Sequence, residues 1–189
     1  MTDLALKKEI ITSRILCRMF CILTSIILVS LGAFVRIPLP FTPVPLTLQT
    51  FFVLLSAALL GGSLGGLTQA GYIFLGVSGF PVFAGAGSGF SYLIGPTGGY
   101  LLGFILAALW LGRFIKYAQN SLLLTFTILC TADLIILSCG SIWLKLIFNY
   151  SFSKILFLGL IPFIPGDLLK ALLASVIYIK LKSRIQEVL

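Results

Sequence analysis

Residues 161–171 read IPFIPGDLLKA, and an apolar run follows from residue 171 to residue 179. This stretch decides the reading of the chain. Pro165 suits the first position of a helix, because its ring presets φ and the donor it lacks would be unpaired there anyway. Asp167 falls in the first turn, where the positive end of the helix dipole favours a carboxylate. Lys170, three residues on, returns to the same helical face. An acid and a base side by side at the head of an apolar helix are costly in a membrane and mark a pathway or a binding site. A plainer role is a capping carboxylate with a snorkelling lysine. Lys170 lies on the bilayer side of the helix start, which favours binding.

The composition around this stretch excludes a soluble domain. Of 189 residues, 59% are hydrophobic and 10% charged, with a mean hydropathy of +1.17. So much apolar surface must face lipid. The length fits a single domain over residues 1–189, an all-α membrane protein folded as a compact bundle of six transmembrane helices. The net charge of +8 does not point to nucleic acid, since the basic residues cluster at the ends of apolar runs. The chain has no histidine, which removes the commonest general base and metal ligand. Cys17, Cys21, Cys130 and Cys139 all lie in apolar runs with no C-x-x-C pair, so they read as small packing residues. The basic start followed by an apolar run is similar to a signal peptide. No small-residue cleavage site interrupts the run to Val35, so it reads as an uncleaved first helix.

Helices are expected over residues 13–34, 46–60, 64–77, 95–117, 122–146 and 165–182. Residues 1–13 form a cytoplasmic N-terminal segment, a short helix or a tail, and residues 183–189 a cytoplasmic tail. Cys17, Cys21 and Ser25 repeat every four residues and make a small-residue seam for close helix packing, inside the bundle or against a partner subunit. Residues 36–45, RIPLPFTPVP, carry four prolines and form an extended outer loop. Gln49, polar in an apolar helix, is either a loop anchor or a ligand contact. Residues 79–94 are too glycine-rich for a lipid-exposed helix and read as a second outer loop folded over a site. Its GAGSG has neither the strand nor the lysine of a nucleotide loop. Asp133, alone in the middle of the fifth helix, has no partner visible in the sequence; a partner protein is one surface it could face.

Charge sets the orientation. Lys7, Lys8, Arg14, Arg18, Arg113, Lys116, Lys180, Lys182 and Arg184 fall on one side, against Arg36, Lys145 and Lys154 on the other. That places both termini in the cytoplasm of a multi-pass protein of the cell membrane. The proline loop, the glycine loop and the head of the last helix then share the outer side. A carboxylate and an ammonium together suit a ligand with both donors and acceptors. Phe80, Phe83, Phe90, Tyr92 and Trp143 are candidates for apolar walls. No nucleophile–base arrangement appears, so a transporter or binding module is expected rather than an enzyme, with no cofactor and no metal.

Several blocks resemble the BioY family, the substrate-binding S components for biotin of energy-coupling-factor (ECF) transporters. They are VPLTLQTFFVLL at 44–55, GVSGFPVFAGAGSG at 76–89, GPTGGYLLGF at 95–104, GSIWL at 140–144 and PFIPGDLLKALLA at 162–174. The resemblance implies six helices, an outward-opening biotin pocket lidded by the two outer loops, and contact of Asp167 and Lys170 with biotin. Asp167 would accept from the ureido N–H groups. Lys170 would reach either the ureido carbonyl or the carboxylate. Gln49, Phe83, Gly85 and Tyr92 are further substrate-binding candidates. Family members often carry an arginine in the glycine loop, where this chain has Ser88. The seam on the first helix is often built of alanines; here it is Cys17, Cys21 and Ser25, the docking site for a coupling subunit. Two ATPase subunits would supply the energy, since this chain has no Walker motif. Membrane lipid surrounds the bundle. The rival readings are an S component for another small vitamin, a lipid-directed membrane enzyme and a structural membrane protein.

Overall fold

The computed structural model describes the backbone of residues 2–188 and the side chains of residues 14–185. Eight α-helices follow one another: α1 (Thr2–Phe34), α2 (Gln49–Leu60), α3 (Gly62–Val77), α4 (Phe90–Ile94), α5 (Gly98–Phe114), α6 (Leu122–Phe148), α7 (Phe152–Gly159) and α8 (Ile164–Val188). A 3-10 turn over Ile115–Ala118 extends α5.

The helices pack as a bundle around Val53, Leu54 and Ala57 of α2, Tyr72 of α3, Ala107 and Leu111 of α5, Leu129 and Ile136 of α6, and Ala171 and Ala174 of α8, all buried. Lipid is as apolar as these side chains, so association rests on close van der Waals packing rather than water exclusion. Small residues make that contact tight. A methyl group built on Gly112 would lie 1.7 Å from the Cα of Gly62, so α3 and α5 touch backbone to backbone there. Large apolar side chains on the outside, such as Phe20 and Leu31 of α1 and Leu123 and Leu146 of α6, are exposed, as they are where lipid is the solvent.

Three spans are long and apolar enough to cross a membrane: Arg14–Phe34, Gly98–Ala118 and Leu122–Phe148. A fourth is available if Phe152–Gly159 and Ile164–Ile185, bent by 47°, act as one. At 12 and 16 residues, α2 and α3 reach only about 18 and 24 Å at 1.5 Å per residue, short of the roughly 30 Å hydrocarbon core.

Four expectations are corrected. The second helix starts at Gln49, not Leu46, because Leu46–Thr47 forms a strand, β2, antiparallel to β1 (Arg36–Ile37), pairing Arg36 with Thr47 and Ile37 with Leu46. The proline loop is therefore a small β-ribbon with a turn, and its Thr42 Oγ1 donates to the Leu158 carbonyl at 2.7 Å. Residues 90–94 of the glycine loop are helical, as α4. Between α6 and α8, α7 presents one apolar face and buries Ile155 on it. At the C-terminal end, α8 runs on to Val188, beyond the expected end at residue 182, while α1 reaches back to Thr2 through the segment read as a short helix or tail. The side chains of Lys7 and Lys8 lie outside the described residues.

Candidate binding site

The first turns of α8 and α2 face each other. Lys170 Nζ lies 2.7 Å from Asp167 Oδ1 and donates to Thr50 Oγ1 at 3.0 Å. Thr50 Oγ1 in turn donates to Asp167 Oδ1 at 3.3 Å. The three groups close a triangle in which one hydroxyl donates once and accepts once, as its chemistry allows. Asp167 and Lys170 are buried. All three line an open cavity, about 530 Å³ with its mouth and open solvent included.

The rest of the wall is largely apolar: Val44, Leu101, Phe104, Ile136, Leu137 and Phe163, with the rings of Tyr92 and Tyr100. Tyr100 is fixed by its hydroxyl, which donates to the Gly159 carbonyl at 2.8 Å. Gln49 also lines the cavity. Its side-chain amide donates to the Tyr72 hydroxyl, which donates to the Val82 carbonyl at 2.9 Å. Gln49 thus sits at the cavity and anchors the glycine loop through Tyr72.

The glycine loop is held by one aromatic ring. Phe83 is fully buried. Its ring fills the notch left by Gly76, where a methyl group would come within 2.1 Å of Cζ. It packs edge-on against Tyr72 at 5.6 Å between centroids and stacks on Tyr92 at 4.7 Å. The Tyr92 hydroxyl donates back to the Ala84 carbonyl at 3.1 Å. Phe83 therefore supports the wall and does not form it. Gly85 is also outside the wall, where Ala84 stands instead. Phe80 and Phe90 are exposed. Trp143 donates to the Gly95 carbonyl at 3.0 Å and does not line the cavity. Of the five aromatics proposed as walls, Tyr92 alone contributes.

Thr50, Tyr100, Phe104 and Phe163 line the cavity and were not singled out in the sequence. The signal for Thr50 was its place beside Gln49 in a run that is otherwise apolar. Asp133 is buried, and its Oδ1 has no hydrogen-bond partner among the described residues. It borders a smaller cavity between α6 and α8, shared with Leu137 and Asp167. On α1, Ser25 is buried, whereas Cys17 and Cys21 are half-buried and flank an open apolar groove with Leu16 and Phe20. Among the described residues no group of three or more His, Cys, Asp or Glu side chains is placed to hold a metal ion.

Comparison with known proteins identifies the family and the fold. The family model described as the BioY family matches residues 6–187. The chain is similar to a biotin transporter BioY of Thermotoga maritima, 39% identical over 155 residues, covering 82% of this chain and 89% of the relative. It is also similar to a probable biotin transporter BioY of Lysinibacillus sphaericus, 36% identical over 186 residues, covering 92% and 90%. Among solved structures it is similar to the S-component for biotin from an ECF-type ABC transporter, with a TM-score of 0.77 and 27% identity, covering 95% of this chain and 93% of that one. Its relatives are transporters, its fold is that of an S component, and this chain, a multi-pass membrane protein, belongs to the BioY family.

Proposed function

We propose that this chain binds biotin in the cavity closed by Asp167, Lys170 and Thr50 and takes it up as the S component of an ECF transporter. The observation that carries the reading is the hydrogen-bonded triangle, with Asp167 and Lys170 buried, in a largely apolar cavity. Biotin has a polar ureido ring, an apolar bicyclic body and a valerate chain ending in a carboxylate. Asp167 already accepts on Oδ1 from Lys170 and Thr50. A carboxylate has about four acceptor sites, so Oδ2 remains for the ureido N–H groups. The apolar body fits between Phe104, Phe163 and Tyr92. Gln49 offers a further polar contact.

In this reading α1, α2, α3, α5, α6 and α8 are the six membrane segments of one domain spanning residues 1–189, in the cell membrane. Both termini are cytoplasmic, supported by the nine basic residues near that face against three near the other. The ribbon at 36–45 and the glycine loop at 79–94 are lids over the outer mouth. The groove at Cys17 and Cys21 receives the coupling subunit, with Ser25 supporting it from inside the bundle. Two ATPase subunits drive the cycle. The protein is a transport component and not an enzyme.

The test is binding of radiolabelled biotin to purified protein, with unlabelled vitamins as competitors, and uptake by cells with and without the coupling and ATPase subunits. Saturable binding displaced by biotin alone supports the reading. Displacement by a different vitamin at lower concentration sinks the substrate assignment.

A further inference from the structure

Arg36 is the first residue of β1 and pairs with Thr47, a residue of the cavity wall. Its guanidinium crosses to the glycine loop. A methyl group built on Gly85 would lie 2.2 Å from Arg36 Nη1 and 2.9 Å from Cζ. Gly85, with φ of +77°, thus leaves the flat face on which the guanidinium rests, next to the wall residue Ala84. Arg36 forms no ion pair among the described residues and is exposed. None of the three cations assigned to the outer side is itself part of the cavity wall, but Arg36 lies against Gly85, the neighbour of the wall residue Ala84. Lys145 closes the last turn of α6, and Lys154 lies 3.9 Å over the Tyr150 ring.

The charge balance at the buried pair matters equally. Lys170 and Asp167 already neutralise each other in a buried setting. Adding a second carboxylate there would set two anions on one ammonium, and an uncompensated buried charge is strongly unfavourable. A neutral ureido group adds no charge, and the remaining Lys170 donor suits its carbonyl. The substrate carboxylate therefore belongs at the hydrated rim. A guanidinium presents a planar fork of donors that matches a carboxylate.

We propose that Arg36 binds the carboxylate of the substrate, while Lys170 serves the ureido end. This rests on the biotin reading above. The site then distinguishes the free acid from its uncharged derivatives. Because Arg36 stands on the ribbon and leans on the glycine loop, a bound carboxylate also joins the two lids.

The experiment compares biotin with biotinamide, in which an uncharged amide replaces the carboxylate, on the wild type, Arg36→Ala and Arg36→Lys. A charge-assisted hydrogen bond is worth about 1.5–3 kcal/mol, or roughly 10- to 100-fold in affinity. Wild type is expected to prefer biotin over biotinamide by about that factor. Arg36→Ala loses the preference by weakening for biotin, and Arg36→Lys keeps part of it. Biotinamide binding reports that each variant is folded. Equal weakening for both ligands would assign Arg36 to loop structure and overturn the proposal, as would no effect on either. If wild type binds neither ligand, the biotin reading itself fails and this inference with it, a result separate from failure of Arg36 alone.

Discussion

Lys170 and Asp167 lie one helical turn apart on α8 with Nζ and Oδ1 2.7 Å apart, and Thr50 of α2 bonds to both. The pair therefore does more than cap a helix. It ties the N-terminal turn of α8 to that of α2 across 117 residues of sequence. A ligand that draws on Asp167 or Lys170 engages both helices together.

Breaking this pair is expected to cost stability as well as affinity. Removing one member of a buried ion pair leaves an unpaired charge and costs about 3–5 kcal/mol. Asp167→Asn and Lys170→Ala should each lower the thermal midpoint in detergent and abolish tight biotin binding. The double variant Asp167→Asn/Lys170→Met should recover part of the stability and none of the binding. Thermal unfolding with and without biotin checks both halves. At a hundredfold excess over Kd the ligand adds about 2.7 kcal/mol to the wild type and nothing to the variants. Singles as stable as wild type would show that the pair is not desolvated.

Thr50→Val keeps the shape and removes the hydroxyl. Asp167 then loses a donor and Lys170 an acceptor, at about 1–3 kcal/mol for buried groups left unsatisfied. Biotin affinity should fall roughly 5- to 100-fold by the same arithmetic. Thr50→Ser, which retains the hydroxyl, should stay close to wild type. Equilibrium binding of the two variants side by side is the measurement. A serine variant as weak as the valine one would place the effect in packing, not in the hydrogen bonds.

The sequence marked Asp167 and Lys170 because charge in an apolar chain is conspicuous and i,i+3 spacing fixes the shared face. The main apolar helices were legible for a similar reason, since long apolar runs ended by glycine, proline or basic residues bound them. Thr50 was not legible as a partner: its role exists only once α2 and α8 meet. The aromatic walls were misjudged on proximity. Phe80 and Phe90 sit in the glycine loop but are exposed, whereas Phe104 on α5 and Phe163 in the turn before α8 carry no mark in the sequence until the fold brings them to the cavity. The strand at Leu46–Thr47 is not legible because two residues have no period to read.

Tyr72 connects the binding cavity to the glycine loop. Its hydroxyl receives from Gln49 and donates to Val82, and its ring packs against Phe83. Tyr72→Phe keeps the ring and deletes both bonds, leaving the Gln49 amide and the Val82 carbonyl without this partner. The loop should then open more readily at little cost to the bundle. The expected result is faster biotin release, with koff up several-fold, and more rapid proteolytic cleavage within residues 79–89. Gln49→Leu should act in the same direction and, if Gln49 also contacts biotin, more strongly. Unchanged release in Tyr72→Phe would mean that Phe83 alone holds the loop.

Asp133 presents the opposite case, a buried polar group with no visible return. Its Oδ1 lacks a hydrogen-bond partner among the described residues, and burying an unsatisfied carboxyl oxygen costs free energy. A role in folding alone would not maintain that cost, because an apolar residue of similar size fills the space better. Asp133→Leu should therefore raise the thermal midpoint, by the equivalent of about 1–3 kcal/mol. If Asp133 does no more than occupy the wall of the small cavity it shares with Asp167 and Leu137, biotin uptake will be retained in this stabilised variant. Higher stability accompanied by lost uptake, with biotin binding intact, would instead assign Asp133 to the transport cycle. A lower midpoint would show that the carboxyl has an energetic partner after all. Thermal unfolding, equilibrium binding and cellular uptake of the one variant separate these outcomes.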